Sequence, residues 1–306
     1  MSGSVLIRIG HAVISLLVLL VFTWGVVRLT GDPVSFLVPP EATIEQRELA
    51  RQRLGLDEPL PVQFAVYMSG VLRGDLGISY RRASLNKPVT DAILERLPAT
   101  ATMGGAALAL MLIVGVPLGI YSAYWRGGLM DRGARLFAAL GQAVPDFWFG
   151  LMLILVFAIL VRWLPSGGSG EIQHVVLPAI TLAFGLIAGL IRLLRSSMME
   201  VLNSDYVAFL RIKGVPERSI LWKHALRNAA LTTLTYMGLI VAGLLTGSVL
   251  VETIFNWPGV GRLFIEAVEF RDFPLIQGLI LLFGASYIGM NLFVDVLYLA
   301  VNPRLR

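Results

Sequence analysis

The sequence predicts an all-α integral membrane protein of six transmembrane helices, with an extracytoplasmic helical insert after the first. Composition is the first observation behind this. Of 306 residues, 56% are hydrophobic and 15% charged, with mean hydropathy +0.76. A soluble domain is roughly 45–50% apolar and roughly 25% charged. A soluble enzyme and a disordered chain are therefore excluded, and the lack of cysteine excludes a disulfide scaffold. Second, the apolar residues gather into runs at 9–29, 99–124, 136–161, 175–199, 229–255 and 275–301, each long enough for the roughly 20-residue crossing of a bilayer. Third, the net charge of +5 comes mainly from basic residues in loops beside those runs, which is a topology signal before it is a sign of nucleic acid.

The segment 1–30 is the N-terminal transmembrane helix. It has no small-residue cleavage site before the next polar stretch and reads as a retained span instead of a signal peptide. The insert, 31–96, carries eight Lys/Arg and nine Asp/Glu. In it, Thr43-Ile44-Glu45-Gln46 has the form of a capping box and Gly55 that of a helix stop. Pro61 opens a second short helix with Phe64, Met68 and Val71 on one face. The insert is expected to lie on the membrane surface as an ordered cap. The region 97–300 holds five further spans, and 301–306 is a cytoplasmic tail.

Pro117 and Pro145 mark kinks. The pairs Gly115/Gly119, Gly185/Gly189 and Gly243/Gly247 have the spacing that lets helix backbones approach, either within this chain or at a subunit interface. With the N-terminus inside, thirteen basic residues fall on the cytoplasmic side, against Arg162, Arg262 and Arg271 in the short outer loops. The eight in the long insert count little, because long loops translocate largely regardless of charge. Both termini are expected to be cytoplasmic.

Charges within apolar runs invite a functional reading. Asp146, after Pro145, either lines a substrate path or sits at a helix end near water. Glu252 and Asp295 suit paired structural roles, and Arg192 and Arg195 suit snorkelling to the cytoplasmic face. None of the three lysines, Lys87, Lys213 and Lys223, follows a glycine, so the chain has no P-loop. There is no H-E-x-x-H or G-x-S-x-G, and His11, His174 and His224 are far apart in sequence. Neither a metal site nor protease chemistry is indicated.

The most informative loop is 203–228, between the fourth and fifth spans, with five Lys/Arg and two acids. On charge alone it could serve merely to fix topology. Its pattern says more. Asp205 is placed to cap a short helix ending near Lys213, and Gly214 to stop it. Pro216 opens a second short helix bearing Ile220, Leu221, His224 and Ala225. Two short helices about a glycine turn make a protrusion suited to a partner's groove.

This loop resembles the cytoplasmic coupling segment of ABC importer permeases, in the version of the dipeptide/oligopeptide/nickel family. Asp205, Tyr206, Val207, Arg211, Lys213, Gly214, Lys223, His224, Ala225, Leu226, Arg227, Asn228 and Ala229 match, whereas Ala208, Phe209, Leu210 and Ile212 depart. A second block is similar to the family signature at the outer end of the fifth helix. It runs from Gly247-Ser248 through Glu252, Ile254-Phe255, Trp257-Pro258-Gly259 and Gly261 to Arg262. In that block Trp257 suits a membrane interface, Pro258-Gly259 a turn, and Arg262 a pairing with Glu266. Shorter echoes are Gly31-Asp32-Pro33, Leu54-Gly55-Leu56-Asp57, Arg73-Gly74-Asp75-Leu76-Gly77, Leu97-Pro98-Ala99-Thr100, Phe147-Trp148 and Asn302-Pro303-Arg304.

The resemblance implies a type I ABC importer permease of the bacterial inner membrane, forming half of a translocation pathway for peptides or a related small solute. Nickel and glutathione importers of the same family are the alternatives. It also implies a homologous second permease, two cytoplasmic ATPase subunits that carry ATP and Mg, an extracytoplasmic solute-binding protein, a lipid surround and no nucleic acid. The chain itself would hold no cofactor and carry out no covalent chemistry. Two rivals from other classes are an ATP-independent secondary transporter, which needs paired intramembrane carboxylates, and a membrane scaffold.

Overall fold

The first apolar run is a single helix, α1 (Ser2–Thr30), whose stretch Ile7–Val26 is apolar enough to cross a bilayer. The computed structural model describes residues 2–30, 34, 43–53, 55–80 and 87–301. Within the insert, α2 (Ile44–Arg53) and α3 (Leu60–Leu72) follow. The capping box forms as expected: Gln46 N–H donates to Thr43 Oγ1 at 3.2 Å, and Thr43 N–H to Gln46 Oε1 at 3.0 Å. Gly55, at φ +63°, ends α2. Pro61 lies in the first turn of α3, and Phe64, Met68 and Val71 are half-buried. Phe64 meets Trp24 of α1 edge-on at 5.4 Å, and the Tyr67 hydroxyl lies 3.4 Å from Thr23 Oγ1. The insert is thus packed onto the end of the first span. Gly31-Asp32-Pro33, Leu54, Asn302-Pro303-Arg304 and the Asp295 side chain lie outside the described residues.

The second span, α4 (Val89–Tyr124), begins well before the apolar run that announces it at 99. Asp91, Glu95 and Arg96 lower the hydropathy of its first turns, yet Val89, Ala92 and Ile93 are buried against Leu263, Leu275 and Leu279. Pro117 does not break α4. The helix widens into a π turn over Met111–Gly115 just before it, which accommodates the missing N–H and the ring. Pro145 acts differently. Val144 and Pro145 are extended, and α5 (Leu129–Ala143) meets α6 (Asp146–Leu160) at 104°. A residue before proline disfavours the α region, so the third run is a broken span. Among the described residues there are five stretches long and apolar enough to cross a membrane, and this bent pair.

The chain continues through α7 (Gln173–Leu202), α8 (Asp205–Ile212), α9 (217–245), α10 (Val249–Ile254), α11 (Val260–Glu269) and α12 (Phe273–Val301). The expected second short helix at Pro216 is corrected here. It is the beginning of α9, continuous through a π segment, Ile220–Ala225, into the fifth span. Nothing stops it, because the next residues are helix-compatible and Ile220, Leu221 and Ala225 are buried.

Helix α7 is the central post, packed against α4, α5, α6 and α9. In hydrocarbon, helices gain little from burying apolar side chains against one another, and small residues bring them close enough for dispersion to act. A Cβ at Gly115 would lie 2.9 Å from Leu190 Cδ2, one at Gly119 3.0 Å from Leu194 Cδ2, and one at Gly141 2.6 Å from Ala188 Cβ. The Gly115/Gly119 pair therefore serves packing within this chain. Arg195 does not snorkel. Its Nε and Nη2 donate to Asp131 of α5 at 2.6 and 3.0 Å, and Asp131 is 1% exposed. Asp131 also accepts from Gly127 N–H at 2.9 Å, which ties the α4–α5 turn to α7.

Candidate functional site

Three places in the fold hold the residues singled out in the sequence. The first is the coupling segment. Ser204 occupies the N-cap position of α8, so Asp205 is its first helical residue and not its cap. An acid there still favours the positive end of the helix dipole. Gly214 has φ +75°. Its N–H donates to Arg211 O at 2.9 Å and Val215 N–H to Leu210 O at 3.1 Å, the paired bonds of a Schellman stop. Across this turn Arg211 Nε donates to Glu217 Oε1 at 2.8 Å, and that hydrogen bond holds the guanidinium pKa above its usual range. Tyr206 OH lies 3.0 Å from His224 Nδ1. Trp222 Nε1 donates to Tyr121 OH at 3.3 Å, and Tyr121 stacks on Trp125 at 5.1 Å, which links the segment to the end of α4. Asp205, Lys213, Lys223 and Arg227 are exposed. So are Phe209 and Ile212, the latter by 84%; Lys213 lies over the Phe209 ring. Two apolar side chains thus protrude from a segment whose backbone is held by cross-links.

The second place surrounds Asp146. It is the first residue of α6, as the helix-end reading expects, and it also lines a cavity. Pro145 starts α6, and Asp146, itself exposed, opens onto a cavity of about 360 Å³ with Gly185, Tyr236, Gly243 and Ser248 in its wall. No hydrogen-bond donor among the described residues reaches its carboxylate. Helix α7 makes room with glycine: a Cβ at Gly185 would stand 3.2 Å from Asp146 Oδ1, and one at Gly189 only 1.9 Å from the Tyr236 hydroxyl. Tyr236 is a site residue that the sequence reading missed. An aromatic in an apolar run gives no sign of which way it faces.

The third place is the outer signature. Glu252 is fully buried. Its Oε1 accepts from Thr100 Oγ1 at 2.9 Å and its Oε2 from Arg262 N–H at 2.8 Å, while Thr100 Oγ1 accepts from Val260 N–H at 2.9 Å. The glycines of the motif are there for the carboxylate: a Cβ at Gly247, Gly259 or Gly261 would lie 2.6, 2.3 or 3.0 Å from its oxygens. The paired role expected of Glu252 is met by a hydroxyl and a backbone amide. Trp257 is not an interface residue. It is 4% exposed, and its Nε1 donates to Ala99 O at 2.9 Å, joining the turn at Pro258-Gly259 to α4. The expected Arg262–Glu266 pair is present at 3.3 Å. Thr100, in the Leu97-Pro98-Ala99-Thr100 echo, is what that motif supplies to the cage.

Comparison with known proteins fits this arrangement. The family model described as the binding-protein-dependent transport system inner membrane component matches residues 115–306, and that of its N-terminal region matches 1–104. The glutathione transport system permease protein GsiC of Escherichia coli K12 is 43% identical over 278 residues, covering 91% of this chain and 90% of that protein. Its counterpart in Shigella boydii serotype 4 is 42% identical over the same share of each chain. Among solved structures, the inward-facing MetNI methionine ABC transporter matches with a TM-score of 0.55 at 15% identity. That match covers 69% of this chain and 96% of the other, and it supports the fold alone. With family models spanning both halves and full-length relatives at this identity, the chain belongs to the inner-membrane permeases of binding-protein-dependent ABC importers, in the dipeptide/oligopeptide/nickel-type family.

Proposed function

We propose that this permease imports small peptides or a peptide-like solute such as glutathione, with Asp146 on the translocation path. The observation that carries the reading is the Asp146 cavity. An intramembrane carboxylate without a protein partner is costly, and a substrate ammonium passing through the hollow would offset that cost. The relatives named for glutathione transport point to the same substrate class. A secondary transporter would need a pair of ion-binding carboxylates, and Glu252, enclosed by its own cage, does not supply one. Thermal-shift screening of the cognate binding protein against dipeptides, longer peptides, glutathione and chelated nickel tests the substrate. A peptide or glutathione response supports the proposal, and a response to nickel alone overturns it.

The 203–228 segment, in this reading, docks into a cytoplasmic ATPase subunit through Phe209, Ile212 and the basic side chains of Lys213, Lys223 and Arg227. The Arg211–Glu217 and Tyr206–His224 contacts keep it rigid, so that a push from the ATPase reaches α7 and α9 undiminished. Both ATPases bring their own ATP and Mg, a homologous permease completes the pathway, and a solute-binding protein delivers the cargo from outside. The N-terminus lies inside. A reporter fused at Gly168 is expected to be extracytoplasmic and one at Pro216 cytoplasmic; the reverse result would invert the topology.

A further inference from the structure

Two arginines, Arg192 and Arg195, stand in the second half of α7, and the fold treats them differently. Arg195 is neutralised by Asp131. Arg192 is exposed and has no carboxylate partner among the described residues. Tyr236 is a wall residue of the Asp146 cavity, and Gly189, where a Cβ would meet the Tyr236 hydroxyl, stands three residues before Arg192 on α7. Gly185, against Asp146, and Arg192 are seven residues apart, which is about two helical turns and about 10 Å along one face. Gly189, against Tyr236, lies between them.

Resting on the peptide-importer reading, we propose that Asp146 and Arg192 are two opposite charged stations on this subunit's half of the pathway, selecting and orienting zwitterionic substrates. An extended peptide spans about 3.3–3.6 Å per residue. A separation of about 10 Å therefore suits the ammonium and carboxylate of a chain of about three residues. The ammonium sits at Asp146, the carboxylate at Arg192, and Tyr236 between them offers a hydroxyl that both donates and accepts. A substrate with one charge, or two of the same sign, meets repulsion or an unpaired charge at one station.

The lack of cysteine in the chain makes each station measurable in the assembled complex. Ser248→Cys reports beside Asp146, and Ser196→Cys reports one turn past Arg192 on the same face. Each is labelled with a cationic and an anionic thiosulfonate reagent. Ser248→Cys should favour the cationic reagent by about tenfold, the lower end of the roughly 10–10³-fold enrichment that charged clefts produce; adding Asp146→Asn should abolish the preference. Ser196→Cys should favour the anionic reagent until Arg192→Gln is added. Ratios that neither variant moves overturn the stations.

Substrate selection is then read by uptake of trialanine, N-acetyl-trialanine and trialanine amide into vesicles holding the full complex. One preparation of loaded binding protein is used throughout, so its own preference cancels in the variant-to-wild-type ratio. Asp146→Asn should slow trialanine several-fold more than its N-acetyl form, and Arg192→Gln should slow it several-fold more than its amide. Equal losses for all three peptides overturn selection. A wild-type complex that imports no peptide defeats the peptide reading, while the labelling ratios still decide whether the stations exist.

Discussion

Glu252 and Asp146 are both carboxylates within the helical body, and their surroundings are opposite. Glu252 is enclosed. Thr100 and the Arg262 amide donate to it, three glycines clear space around it, and it holds the loop between α10 and α11 against α4. Asp146 opens onto a cavity, where α7 stands back from it by the width of a glycine. A buried polar group whose partners all come from the chain is architecture. A carboxylate left exposed and without partners beside a hollow is available to something that arrives. The difference separates an acid enclosed by its own chain from one left open, where residue type and hydropathy cannot.

Removing the enclosed acid should have the largest effect. Glu252→Ala deletes two hydrogen bonds to a charged acceptor, at about 1.5–3 kcal/mol each, and strands their donors. The variant should lose several degrees of melting temperature in detergent, or fail to accumulate in the membrane. Wild-type melting would mean that the cage does not hold the outer loops. Next comes Gly189→Ala, which places a Cβ where the Tyr236 hydroxyl stands. Overpacking of this kind costs about 1–3 kcal/mol, and thermal melting should fall by less than for Glu252→Ala, with transport reduced.

Gly214→Val contrasts the coupling segment with the cage. A β-carbon there meets no atom within 4 Å, so the cost is only the strain of φ +75°, roughly 1–2 kcal/mol. Membrane expression should stay near wild type while substrate-stimulated ATP hydrolysis by the complex falls sharply. Normal stimulation would remove the segment from the coupling path. The smallest stability effect is expected for Asp146→Asn, within about 0.5 kcal/mol, as for substitutions that break no structural contact. Its transport of cationic substrates should nonetheless fall more than that of neutral ones. Destabilisation as large as that of Glu252→Ala would make Asp146 architectural after all.

Much of the fold was legible along the chain. Apolar run lengths marked the spans, the Thr43–Gln46 capping box formed, and Gly214 took the positive φ its position required, because each of these depends on neighbours a few residues away. The errors share the opposite property. Trp257 looked like an interface residue because tryptophan often is one, but Ala99 offers a buried carbonyl 158 positions earlier. Arg195 looked like a snorkelling side chain until Asp131 met it from another helix. The π turn before Pro117 and the 104° break at Pro145 divide two prolines that read alike: α4 widens to take the ring, whereas Val144 and Pro145 leave the helical region.

By itself, then, the sequence determined the class of molecule, the number of apolar runs and the motifs that mark a coupling loop and an outer signature. These rest on composition and on local spacing, which the chain carries wherever it folds. Only the tertiary structure decided that Thr100 and Arg262 close around Glu252, that Gly185 and Gly189 open α7 to Asp146 and Tyr236, and that Arg192 is left without the acid that neutralises Arg195. Each of those outcomes depends on which helix faces which across the bundle. A carboxylate's role is set by the donors that reach it, and in this chain Thr100 reaches Glu252 from 152 positions away and Arg195 reaches Asp131 from 64.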